Sequence, residues 1–269
     1  MADRSPTWAS PLEPLRLVLV AMQFLTRIPV PAIPVGGDDL RRATAAFPLV
    51  GLLVGSVVLA VRAATEPWLG PAAATVLAVG AGVAATGAFH EDGLADTVDG
   101  LWGGWSPDQR VEIMRDSRLG TYGAVALLGA LALQVVLLAE LELGVFAVAV
   151  LTGHTVGRLA VLGMIRALPA YRDQGSGAAV AEPVGVLGTI VALTTAAAVA
   201  APLFGPWLVL PLTSGLLVAA WLRRVTRRRV GGLTGDVLGA TQQLVLLTTV
   251  TSAAVLQRSG HLTGAWAWT

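Results

Sequence analysis

The stretch from Ala45 to Ala64 reads AAFPLVGLLVGSVVLAVRAA, twenty residues with one charge, Arg62. A helix needs about 20 predominantly apolar residues to cross the hydrocarbon core of a bilayer, and this run has that length. Its Gly51 and Gly55 stand one helical turn apart, a spacing that lets two membrane helices approach closely; in a chain with 31 glycines it also arises by chance. Further apolar runs follow: Trp68 to Phe89, Tyr122 to Ala139, Gly144 to Ile165, Val184 to Leu203, Pro206 to Trp221 and Leu233 to Leu256. A shorter one, Leu15 to Val30, carries Arg16, Gln23 and Arg27 and ends at Pro29 and Pro31. It either crosses at an angle or lies at the interface. The pattern predicts an all-α, polytopic integral membrane bundle of seven to eight transmembrane or membrane-embedded helices, forming one domain over residues 1–269. Residues 1–14 are polar, lack the order of a cleaved signal peptide, and are expected to be a cytoplasmic tail.

Composition agrees: 55% of the 269 residues are hydrophobic and 13% are charged, against about 25% charged in a soluble domain. The net charge of +1 supplies no field to recruit nucleic acid. With no cysteine, disulfides, thiolate nucleophiles and Cys-ligated zinc or iron–sulfur centres are excluded. All 18 basic residues are arginine. Alternating the spans from Ala45 puts Arg41, Arg42, Arg110, Arg115, Arg118, Arg166, Arg172 and the cluster from Arg223 to Arg229 on one side, and only Arg62 and Arg258 on the other. Short cytoplasmic loops are rich in Lys and Arg. The loops 90–120, 168–182 and 223–232 are therefore expected to face the cytoplasm and to converge, which places the chain in the cytoplasmic membrane with its site on the inner face. The arginine cluster reads most simply as this topology signal with contact to anionic membrane lipid.

Between the second and third of these long spans hydrophobicity collapses. Residues 90–123 read HEDGLADTVDGLWGGWSPDQRVEIMRDSRLGTYG and hold seven of the 17 Asp and Glu residues, all between Glu91 and Asp116. On a helix Asp92, Asp96 and Asp99 share one face. Like charges placed so repel unless a cation lies among them. Mg²⁺ takes oxygen ligands and often uses few carboxylates plus substrate phosphates, so the three are expected to bind Mg²⁺, with Glu91 a further candidate. Gly93 and Gly100, beside the acids, would let backbone approach a ligand. A solvated acidic helix end is the plainer alternative, but charge at the end of an apolar span is expensive. His90 reads as a ligand, a base or a polar cap. Ser106-Pro107-Asp108 starts a helix, whose Arg115 and following Arg118 either fork onto phosphate oxygens or pair with Glu112 and Asp116.

Arg158 sits four residues after His154 within a span, either a functional pair or a buried pair satisfied by carbonyls. Asp236 opens the last span among Gly231, Gly232, Gly235 and Gly239. It caps the helix, completes the metal site or acts as a base. Clustered carboxylates, a divalent metal and arginines together suit pyrophosphate or phosphodiester chemistry.

Asp96-Thr97-Val98-Asp99-Gly100 has the D-x-x-D-G form that opens the CDP-alcohol phosphotransferase signature, but the rest of that signature does not follow. The string from Gly87 to Gly100, GAFHEDGLADTVDG, resembles the cobalamin synthase family, adenosylcobinamide-GDP ribazoletransferase. So do Ile113 to Gly123, Phe24 to Pro31, Phe47 to Gly51 and Gly231 to Ala240. The stretch Pro169 to Gly177 keeps the Pro-x-x-Arg-x-x-Gly-x-Gly frame but has Tyr171 and Asp173 beside Arg172, where the family usually has Ala and Pro. The resemblance implies transfer of the adenosylcobinamide phosphate group of adenosylcobinamide-GDP to α-ribazole or α-ribazole 5′-phosphate, giving adenosylcobalamin or its phosphate and GMP. On it, Asp92, Asp96 and Asp99 would hold Mg²⁺ on the diphosphate. Glu91, Asp236 and His90 are candidates for the chemistry, and Arg27, Arg115, Arg118, Arg158 and Arg172 for substrate binding. A lipid phosphotransferase and a transporter are the alternatives. A homo-oligomer is compatible with all of them.

Overall fold

The structure is a computed structural model that describes residues 12–36, 38–171, 180 and 182–263. Its helices are α1 (Glu13–Leu25), α2 (Asp39–Ala43), α3 (Phe47–Thr86), α4 (Phe89–Gly103), α5 (Pro107–Arg115), α6 (Thr121–Ala139), α7 (Leu143–Ala167), α8 (Val186–Phe204), α9 (Val209–Arg229) and α10 (Gly235–Arg258). No β-strand occurs among the described residues; one isolated bridge joins Ala170 to Leu233.

A straight helix of the 40 residues of α3 would be about 60 Å long, twice the roughly 30 Å of a bilayer core. It is not straight. Gly70, between Pro67 and Pro71, has φ 72° and ψ 170°, a conformation open to glycine alone. Beyond it the chain folds back, so that Val58 Cγ2 lies 2.8 Å from where a Cβ on Gly82 would stand. Residues 58 and 82 are equidistant from 70, as the arms of a hairpin require. α8 and α9 are likewise separated by a short 3₁₀ turn, Gly205–Leu208. Among the described residues five apolar helical stretches are long enough to cross a membrane, and those of 48 and 44 residues, divided at Gly70 and at Gly205–Leu208, have the length of two passes each. The seven spans of the sequence are all present. The eighth candidate is not one: α1 has 13 residues, about 20 Å, and packs Val20, Ala21 and Leu25 against Phe47 and Val50.

α7 and α10 form the centre, each with 78% of its apolar window buried, whereas the α6 and α8–α9 windows are 17% buried and make the rim. The Gly51/Gly55 step packs α3 onto α7: a Cβ on Gly51 would stand 2.3 Å from the His154 carbonyl oxygen, and one on Gly55 2.8 Å from that of Val150. Across this seam Arg62 is fully buried, 3.2 Å from a Glu66 carboxylate oxygen, with its guanidinium 5.4 Å from the centre of the Phe146 ring of α7. Gly51→Ala is expected to destabilise the bundle by about 1–3 kcal/mol, the usual cost of overpacking, seen as a lower thermal midpoint in detergent. An unchanged midpoint would mean that α3 and α7 can separate freely.

Candidate active site

The acid-rich segment contains two helices, α4 and α5. α4 begins after Gly87 and Ala88, both left-handed at φ 65° and 58°. The Arg27 backbone N–H donates to the Ala85 carbonyl at 2.7 Å, and the exposed Arg27 side chain covers Gly87 so closely that a Cβ there would stand 2.6 Å from its Nε. The reversal lays α4 against α10, where Gly93 and Gly239 meet: a Cβ on Gly93 would lie 2.9 Å from the Asp236 carbonyl oxygen and 3.1 Å from Gly239 Cα. Gly100 meets α5 in the same way, a Cβ there standing 2.7 Å from the Arg110 carbonyl oxygen. Gly93 and Gly100, expected to let backbone approach a ligand, instead admit neighbouring helices.

The crossing brings exposed Asp92 and half-buried Asp96 of α4 near Asp236 in the first turn of α10. Burial, followed by the charges of Asp92, Asp236 and Asp99, pushes the Asp96 carboxyl up to about 7. Exposed Arg115 of α5 acts electrostatically on Asp236. The cap of α10 is the Thr234 hydroxyl, which accepts from Val237 N at 3.3 Å. Asp236 is therefore not needed as a capping side chain.

Asp99 differs from its two neighbours. It is buried, and its oxygens accept from Gly120 N and Gly123 N, both at 2.8 Å. It thus caps the N-terminus of α6 from another helix, where a carboxylate is favoured by the unpaired amides and the helix dipole. Asp99→Asn would turn an amide NH₂ toward one of these donors. It is expected to cost about 2 kcal/mol, the scale of a hydrogen bond to a charged group, read as a lower thermal midpoint; full stability would show that the cap is dispensable.

Glu91 and His90 face inward. Glu91 Oε1 accepts from Gln243 Nε2 at 2.7 Å, and burial raises its carboxyl while the charge of Arg158 opposes the rise. His90 is 3% exposed and packs edge-on to Phe89; burial, then the charge of Arg158, holds its imidazole well below the usual range. It is an interior group. Arg158, 1% exposed, donates from Nη1 to the His154 carbonyl oxygen at 3.2 Å, while its Nε and Nη2 are buried with no hydrogen-bond partner among the described residues. It lies behind the acid face, not on it. Arg118 pairs with Asp116, Nη2 to Oδ2 at 2.6 Å, which holds Asp116 down at about 2. Arg172 falls outside the described residues. The sequence reading passed over Gln243, although consecutive polar residues Thr241, Gln242 and Gln243 within an apolar span are a visible signal.

The expected convergence of loops is present. Ser106 caps α5, accepting from Gln109 N at 3.3 Å. Arg110 Nη1 donates to the Arg229 carbonyl at 2.8 Å, and Arg229 Nη1 to that of Leu101 at 2.7 Å. The Tyr171 hydroxyl bonds Asp108, and Leu233 N donates to the Pro169 carbonyl at 2.8 Å.

No group of three His, Asp or Glu side chains among the described residues is gathered tightly enough to hold a metal ion by itself. The donor set nonetheless fits one: mutually repelling carboxylates are what a hard cation neutralises, and Mg²⁺ commonly takes one or two of them with the rest of its shell from water and substrate phosphate.

Fold and site together define a multi-pass α-helical membrane protein with a carboxylate-and-arginine centre at one end of its bundle. The family described as cobalamin-5-phosphate synthase matches residues 17–254. The chain belongs to that family. A relative from Shewanella woodyi is 41% identical over 244 residues, covering 87% of this chain and 94% of its own. One from Shewanella baltica (strain OS185) is 42% identical over 254 residues, covering 91% and 94%. Both are named adenosylcobinamide-GDP ribazoletransferase. No solved structure gives a match.

Proposed function

We propose that this chain transfers the adenosylcobinamide phosphate group of adenosylcobinamide-GDP to α-ribazole or its 5′-phosphate, with GMP as the other product, on the cytoplasmic face of the membrane. The observation that carries this is the likeness to ribazoletransferases at 41–42% identity over 87–91% of the chain. Nothing in the comparisons favours a lipid phosphotransferase or a transporter.

In this reading Asp92 and Asp96 would hold Mg²⁺. When bound, the ion neutralises diphosphate oxygens and stabilises the leaving phosphate. Arg115, and Arg27 from the α1–α2 connection that covers the α3–α4 turn, take further phosphate oxygens. A ribazole hydroxyl attacks the phosphorus next to cobinamide and the phosphoanhydride bond breaks. GMP departs with the bonding electrons, and Asp236 accepts the hydroxyl proton. Asp99 and the Glu91–Gln243 contact fix α4 so that its acid face meets Asp236. Asp99, with both oxygens engaged by α6, is not required in the metal set.

The test is GMP release by the purified chain from adenosylcobinamide-GDP and α-ribazole, with Mg²⁺ and then with EDTA. Release matched by a corrinoid product of the right mass, and lost with EDTA, is the expected result. A folded chain that releases no GMP in either condition would overturn the assignment. Release that EDTA leaves intact would overturn the metal.

A further inference from the structure

A groove of about 440 Å³ runs along α7 between α8 and α9. Its floor recedes because Ala160 and Gly163 of α7 and Gly215 and Ala219 of α9 are small. Leu193 and Leu216 wall it, 50% and 69% exposed. Along α9 it extends from Pro211 to Arg223, a rise of about 18 Å, close to the roughly 15 Å depth of one leaflet's hydrocarbon.

One end is cationic. Arg166 and Arg223 line it there, and both are exposed. Arg166 is held by neutral partners: Nη2 donates to the Val184 carbonyl at 2.6 Å and to the Thr189 hydroxyl. Its guanidinium is therefore oriented while its charge is left uncancelled. α7, α8 and α9 contain no Asp or Glu, so nothing on these walls competes for it.

We infer that this groove is a site for one anionic phospholipid, with an acyl chain along α7 and its phosphate on Arg166 and Arg223. Apolar depth matched to a leaflet, ending at two arginines that form no ion pair among the described residues, is complementary to such a lipid and not to a zwitterionic one, whose own cation would meet theirs. The inference is independent of the transferase reading. It requires only that the bundle lie in a membrane.

Native mass spectrometry of the full chain in mild detergent, offered equal phosphatidylglycerol and phosphatidylcholine, tests it. One phosphatidylglycerol per chain is expected, preferred by about tenfold or more, as two arginines near a phosphate provide. Arg166→Gln with Arg223→Gln should bring the two lipids near parity. Gly163→Leu should abolish retention of both; a Cβ there meets nothing within 4 Å, so the added side chain fills the groove without displacing a helix. Arg227→Gln with Arg228→Gln, beyond the groove, should retain the preference. Equal retention by the unaltered chain, an undiminished preference in the Arg166/Arg223 variant, or a second copy of the chain in place of lipid would each overturn the inference. Should that variant not fold, the unaltered chain decides: its thermal midpoint must rise more with phosphatidylglycerol than with phosphatidylcholine.

Discussion

Asp96→Ala is expected to lower GMP release by about three orders of magnitude, the scale of losing a group that stabilises transition-state charge. Asp96 stands among Asp92, Asp236 and Asp99, and its carboxyl is pushed up to about 7 by burial first and by those charges second. A proton and a divalent cation therefore compete for it. Apparent Mg²⁺ affinity should climb about tenfold per pH unit below 7 and level off above it, as one linked proton dictates. The stability sign follows from the same shift. A folded carboxyl raised above its unfolded value of about 3.9 binds its proton more tightly in the folded state. In EDTA, stability should fall as pH rises from about 4 to 7, and saturating Mg²⁺ should restore it by about 2.7 kcal/mol at a hundred times its Kd. Mg²⁺ titrations at pH 6 and 8, with thermal unfolding in EDTA, read both effects, and Asp96→Asn should erase both. An alanine variant that turns over normally would remove Asp96 from the mechanism.

Gly93→Ala is expected to be nearly as damaging although it adds one methyl group and removes no charge. Its Cβ would stand 2.9 Å from the Asp236 carbonyl oxygen, and backbone cannot swing aside as a side chain can. α4 and α10 must separate, carrying Asp92 and Asp96 away from Asp236. A misplacement of about 1 Å can cost about a hundredfold in rate, alongside about 1–3 kcal/mol of stability from overpacking. Gly103→Ala is the matched control on the same helix, where the nearest atom to a new Cβ is Ile113 Cδ1 at 3.7 Å. Rates equal for the two variants would mean that the α4–α10 crossing does not set the site.

Legibility followed range. The seven spans and the helix start at Ser106 were readable because each is a local pattern of hydropathy or capping. The acid face of α4 was readable because Asp92 and Asp96 lie one turn apart. What Asp99 does was not, since its partners Gly120 and Gly123 belong to the start of another helix, and spacing along α4 says nothing about where α6 begins. Arg158 looked available for substrate in sequence; only the packing of α7 at the centre shows it enclosed. The glycines beside the acids were rightly singled out as close-approach positions, but the object that approaches is a helix backbone.

Arg62 bears on how the protein is made. Its ring partner, Phe146, is translated 84 residues later, on the order of ten seconds at typical elongation rates. Through that interval the α3 hairpin can reside in the bilayer with a guanidinium that has Glu66 beside it and no α7 above it. The ribosome thus delivers a helix pair whose Arg62 lacks its aromatic cover until α7 arrives. A truncated chain ending before Leu143 should then be degraded by membrane quality-control proteases faster than the full chain.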